Sequence, residues 1–190
     1  MKYRKVFICI AILLAVNLLF GCAQKQNTGS ANKNSYNTTA ESMSTAFKNF
    51  TSTDLNGNQI DSSIFKGHKL TMVNLWGTYC SPCVTGMQDF DNLEKMLANI
   101  DVGLVGIVVD TGDGENIDTA KEIVKSTGVK YRNIIPDKVL INDLLKYVNA
   151  VPTTFFVDEN GNIIGNSKIG ASANQNYVNA AQAALKELGK

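Results

Sequence analysis

The sequence predicts an α/β fold, a central mixed sheet flanked by helices with an N-terminal extension. Three observations carry the prediction. Two apolar runs, Leu70–Trp76 and residues 102–110, are continuous rather than alternating, as strands buried on both faces are. The stretches between and after them place apolar residues three and four apart, the period of a helix with one buried face. Strands and helices therefore alternate, without internal repeats, over residues 46–190, a length suited to a single domain.

The chain opens differently. Lys2, Arg4 and Lys5 precede a run from Val6 to Phe20 that is apolar except for Asn17. That run is shorter than the ~20 residues a comfortable membrane span needs. A basic start before a short apolar stretch predicts a secretory signal peptide over residues 1–21. It ends in "LLFGC", which resembles a bacterial lipoprotein signal. Leu19, Gly21 and Cys22 match that pattern, Phe20 is bulkier than usual there, and the resemblance implies a lipid on Cys22. Residues 22–45 are rich in Asn, Ser, Thr, Gln and Lys and lack apolar periodicity, so they are expected to form a flexible tether.

Within the domain, residues 47–60 form the expected N-terminal extension, turning at Asn56-Gly57. Leu70–Trp76 is the first core strand. After Pro82, the residues Val84, Met87, Phe90, Leu93, Leu97 and Ile100 line one face of a single long helix. Residues 102–110 follow as a second strand. Ile117, Ala120 and Val124 mark another helix, and Ile141, Leu144, Leu145 and Val148 a further one. "TTFFVDENGNIIG" reads as two strands joined by Asn160-Gly161, a strong hairpin signal. Val178, Ala181, Leu185 and Leu188 define a C-terminal helix.

The four cysteines separate by position. Cys9 leaves with the signal and Cys22 is taken by the lipid, so Cys80 and Cys83 remain for the domain. Two cysteines so close together close a short loop and constrain the unfolded chain little, which argues against a structural staple. The pair instead sits where a buried strand hands over to a helix, in "WGTYCSPC". Sites of open α/β sheets lie beyond the carboxyl ends of strands. A helix start offers free N–H groups and partial positive charge, which favour a thiolate and lower its pKa. Pro82 suits a first helical turn, where its missing N–H costs nothing.

"VNLWGTYCSPC" resembles the thioredoxin superfamily, in particular the TlpA/ResA-like thiol-disulfide oxidoreductases tethered outside the cytoplasm. "DLNGNQIDSSIFKGHKLTMVNLWGTYCSPC" is similar to that group's entry segment and "VPTTFFVDENGNII" to its later block. The resemblance implies a thioredoxin-like fold and a redox-active disulfide. Cys80 would attack a partner disulfide, and Cys83, one turn further in, would resolve the mixed disulfide. It also implies a cis Val151-Pro152 bond that presents Val151 to an incoming peptide. Trp76 and Tyr79 remain open between packing beside the site and contact with the partner. Tyr79 stands where the group usually has tryptophan. Two acids known in the superfamily are missing, with Asn74 and Gly86 in their places.

The implied activity is reduction of disulfides in specific client proteins, an antioxidant type of chemistry. Electrons would come from a membrane thiol donor. The expected protein is a lipid-anchored extracytoplasmic monomer that needs no cofactor. The alternative is a copper carrier on the same scaffold, but two thiols and the single histidine, His68, make a poor ligand set. A peroxidase fits less well, since no proline and threonine precede either cysteine at that family's spacing. The acids of "DTGDGENID" miss the calcium-loop spacing and read as a solvated loop opening a helix. The formal net charge is +1, about −2 once the three positive charges of the signal are removed. With no basic patch interleaved with aromatics, nucleic acid is not an expected partner.

Overall fold

The computed structural model describes residues 33–189, with side chains from residue 41 onward. The expected signal peptide and Cys22 lie outside the described residues. Helix α1 (Lys33–Asn49) leads into the hairpin β1 (Thr51–Asp54) and β2 (Gln59–Asp61). A 3₁₀ turn (Ser62–Gly67) precedes β3 (Leu70–Trp76), followed by α2 (Ser81–Met87) and α3 (Phe90–Ala98). Next come β4 (Val102–Val108), α4 (Ile117–Thr127), β5 (Arg132–Ile135) and α5 (Lys138–Asp143). The chain ends with β6 (Thr153–Asp158), β7 (Lys168–Ile169) and α6 (Asn174–Leu188).

The seven strands form one mixed sheet in the order β2-β1-β5-β4-β3-β6-β7. β3, β4 and β5 are parallel neighbours, and the other pairings are antiparallel. β3 is buried at every position, as its continuous apolar run requires. Met72 and Trp76 join one core with Met87, Phe90, Leu93 and Leu97, while Val73 and Leu75 join the other with Phe47, Phe65 and Leu140. The central strand thus divides two hydrophobic layers. Asn74, between Met72 and Trp76 on the alternating pattern, shares their face.

Three expectations are corrected. The tether read over residues 22–45 is helical from Lys33 onward. The end of α1 belongs to the domain, because Ala46, Phe47 and Phe50 are buried and Phe47 packs edge-on against Phe65 and Phe155. The expected N-terminal extension adds strands to the sheet, since β1 pairs with both β2 and β5. The single long helix after Pro82 is two helices, broken at Gln88 and Asp89. Both residues keep near-helical dihedrals, so the apolar face continues across the break, and Asn174 Nδ2 donates to the Asp89 carbonyl at 2.9 Å. Lastly, the return strand after Asn160-Gly161 is split. Ile163 makes one bridge to Val157, the chain swings away at Gly165 (φ +69°), and β7 re-forms the pairing opposite Thr153 and Thr154.

Both hairpin turns have the same construction, from the same pattern of residues, "DLNGN" and "DENGN". Asp54 Oδ1 accepts from the N–H groups of Asn56 and Asn58, and Asp158 Oδ1 from those of Asn160 and Asn162. Gly57 and Gly161 supply the positive φ each turn needs. At Gly161 a Cβ would also lie 3.2 Å from the backbone nitrogen of Lys48, so this turn is the seat on which α1 packs.

Candidate active site

β3 ends at Trp76, and the chain crosses three residues, Gly77 to Tyr79, to reach Cys80 at the head of α2. That crossing is tied down on both sides. Val109 N–H donates to the Trp76 carbonyl at 2.8 Å, and Cys80 N–H to the Gly77 carbonyl at 3.0 Å. Thr78 donates its N–H to Asp110 at 3.0 Å, and its hydroxyl bonds the same carboxylate. Asp110 is therefore not part of a merely solvated loop, as read from the sequence. It anchors the approach to Cys80, a role no local pattern signals because its partner lies on another strand end.

Cys80 is the N-cap of α2, and the N–H of Cys83 donates to its Sγ at 3.3 Å. The two cysteines are joined in a disulfide (S–S 2.02 Å). Opposite them the Val151-Pro152 peptide bond is cis, with the Val151 carbonyl oxygen 3.6 Å from Cys80 Sγ. Gly170 N–H donates to the Pro152 carbonyl at 2.8 Å, fixing this loop to the end of β7. The structure thus brings Cys80, Cys83, Val151 and Pro152 together. The two cysteines are almost equally covered, at 6% and 4% exposure. Their burial is alike, and their surroundings differ. Cys80 meets the Val151 carbonyl, whereas Cys83 lines an inner cavity with Asn74, Gly86 and Tyr177.

Tyr79 and Trp76 part company. Tyr79 is 71% exposed, its ring folded over Gly77, where a Cβ would come within 2.7 Å of it. With Leu145, Val148 and Val151 it lines a groove of about 230 Å³ beside Cys80. Trp76 is fully buried, with its indole N–H on Asn133 Oδ1 at 2.8 Å, so of the two roles left open for it, packing in the core is the one its position fits. Asn133 was not singled out from sequence. Gly106 makes room for it, because a Cβ there would sit 2.2 Å from Asn133 Oδ1.

His68 precedes β3 and the cysteines follow it, so a strand of seven residues, roughly 20 Å, separates them. It cannot join the two sulfurs around one metal ion. Its Nδ1 lies 3.4 Å from Asp101 Oδ1, a half-exposed pair.

Residues 43–165 match the model of the AhpC/TSA family. Thiol-disulfide oxidoreductase ResA of Bacillus subtilis is 29% identical over 163 residues, covering 86% of this chain and 84% of that one. ResA of Bacillus thuringiensis subsp. konkukian is 32% identical over 119 residues, covering 61% and 64%. Among solved structures, a thiol:disulfide interchange protein of the thioredoxin family from Chlorobium tepidum matches with a TM-score of 0.59 at 26% identity, over 72% of this chain and 92% of that one. The extent of the family match makes the membership plain: the chain belongs to the AhpC/TSA family, with a thioredoxin-like fold, and is a thiol-disulfide oxidoreductase.

Proposed function

We propose that this protein reduces disulfides of specific client proteins outside the cytoplasm, held to the membrane by a lipid on Cys22. The observation that carries the reading is the placement of Cys80 Sγ, which accepts the Cys83 N–H at a helix start and faces Val151 across a cis-proline bond. An N–H donor and a helix start both favour the thiolate in the reduced form. Cys80 attacks one sulfur of a client disulfide and the other client sulfur leaves as a thiol. Cys83 then attacks Cys80, releases the second client thiol, and leaves the Cys80–Cys83 disulfide. A membrane thiol donor returns the pair to the dithiol. Tyr79, Val151 and Pro152 contact the client. The anchor reading rests on "LLFGC" and the polar stretch after it.

The test is a trap. With Cys83→Ser, clients accumulate as mixed disulfides on Cys80 and can be identified after isolation from the cell envelope. A variant that captures no protein, while the wild-type domain reduces no protein disulfide, overturns the reading. Cys22→Ser releases the protein from membranes or leaves an uncleaved precursor, and a mature membrane-bound product overturns the anchor.

A further inference from the structure

Cys83 has a neighbourhood of its own. Its side chain lines a cavity of about 10 Å³, room for a single water molecule, with Asn74, Gly86, Pro152, Ser172 and Tyr177. The cavity continues toward Gly86, where a Cβ would meet nothing within 4 Å. The titratable groups around Cys83 are few. α2 contributes Cys80 and α6 contributes Tyr177. β3, α3, the cis-proline loop and the segment before α6 bring only Asn74, Phe90, Pro152, Ala171 and Ser172. Among the described residues, no carboxylate, imidazole or ammonium lines this space.

Resolution nevertheless requires Cys83 to react as a thiolate. Its sulfur forms the bond to Cys80 Sγ while the bond from Cys80 Sγ to the client breaks and the electron pair departs on the client sulfur. One proton leaves Cys83 for water and one is taken up from water by the client thiolate. An ionised sulfur is costly in so covered a place unless a donor turns toward it.

Tyr177 can be that donor. It is buried on α6, and its phenol meets the Thr154 hydroxyl and the Ser172 backbone. Thr154, also buried, donates to Asn74 Oδ1 at 3.4 Å. Asn74, Thr154 and Tyr177 therefore form a row of neutral groups from β3 to α6, and two of the three are hydroxyls that can reverse direction. When Cys83 is a thiol, Thr154 donates to Asn74, Tyr177 donates to Thr154, and the phenol oxygen can accept from the thiol. When Cys83 is a thiolate, Tyr177 turns to donate toward sulfur and Thr154 turns to donate to Tyr177. Burial raises the phenol's pKa despite the opposing contacts from Ser172 and Thr154, so the group remains a donor throughout.

We propose that Tyr177 stabilises the Cys83 thiolate during resolution, through this cavity, and that Thr154 and Asn74 position it by reversing the hydroxyl row. The inference rests on the client-reductase reading above.

The experiment uses the reduced protein and an aromatic disulfide whose aryl thiolate absorbs light. A first phase reports attack by Cys80 and a second reports release by Cys83, each followed against pH. In Tyr177→Phe the second phase is expected to slow about tenfold at neutral pH, the worth of one hydrogen bond to a charged group. Its midpoint moves upward in pH, and the variant approaches wild type where Cys83 ionises unaided. Thr154→Val shifts the second phase in the same direction by a smaller factor, and it serves if Tyr177→Phe does not fold. A second phase with an unmoved midpoint in the folded variants, even if uniformly slower, overturns the proposal. Failure of wild type to show either phase would instead overturn the reductase reading itself.

Discussion

At the carboxyl end of β3, buried polar groups are held by partners from other elements. The Trp76 indole reaches Asn133 on β5, Asn74 accepts from Thr154 on β6, and Thr78 is fixed by Asp110 after β4. At the amino end of the same strand, the Thr71 hydroxyl has no partner, nor has the Tyr131 hydroxyl, and these are the unpartnered buried side-chain atoms among the described residues. His68 there sits against Gly103 and Asp101, half in solvent. Both ends bury polar groups, which costs free energy unless each is bonded. Only at the cysteine end is the cost offset, and there the partners do more than satisfy atoms. They fix the three-residue crossing that delivers Cys80 to the cis-proline loop. The polar network thus follows the chemistry rather than the strand. Substitutions at the two ends should therefore have opposite signs.

The largest effect belongs to the cysteines. Cys80→Ala is expected to reduce disulfide turnover to background, while Cys83→Ala keeps the first attack and stalls as a mixed disulfide. Iodoacetamide reacting with Cys83 ahead of Cys80 in the reduced protein would reverse the assignment. Asn133→Ala strands the Trp76 N–H in the core and should cost about 2–3 kcal/mol in denaturant unfolding. An unchanged midpoint would show that the Trp76 contact contributes nothing. Asp110→Ala frees Thr78 and should cost about 1–2 kcal/mol and slow alkylation of Cys80. Stability lost with no change in Cys80 reactivity would separate the anchor from the site.

The opposite end provides the contrast. Thr71→Val removes an unpartnered hydroxyl while keeping the shape, and should be neutral or stabilising by up to about 1 kcal/mol. A clear loss of stability would mean that Thr71 has a partner in solution and would erase the comparison. The smallest effect is expected at Glu94, near Tyr131. Burial and then Asp91 raise its pKa above the ordinary 4.5, with Lys130 and Lys95 opposing. Its folded pKa lies above the unfolded one, so the ionised group weakens the fold at higher pH. That penalty fades as pH falls through the folded value and is gone below the unfolded one. Glu94→Gln should thus gain a little stability at neutral pH, and the gain should vanish below about pH 4.5, as thermal unfolding across pH would show.

Much of this was legible in the residues. Leu70–Trp76 stands out in the residues because a strand buried on both faces is apolar at most positions, five of seven here, and no other local pattern competes there. The cysteine pair was placed at a strand-to-helix junction by Pro82 and the periodicity after it. The turns at Asn56-Gly57 and Asn160-Gly161 were visible because positive φ demands particular residues. β5 was missed: at four residues, with Asn133 among them, it has too little pattern to stand out. The break between α2 and α3 was hidden because the apolar spacing runs through it undisturbed.

Readable from the residues alone are thus the faces: which residues turn inward, where the chain must turn, and that two thiols head a helix. Periodicity encodes these because each depends on neighbours a few positions away. The tertiary structure decided which single polar residues meet. Asn133 reaches Trp76, Asp110 holds Thr78, and Tyr177 stands beside Cys83, all from distant parts of the chain. A contact between two isolated residues leaves no period in the sequence, and only the crossing of β5, β4 and α6 over the end of β3 brings each pair within bonding distance or into one cavity.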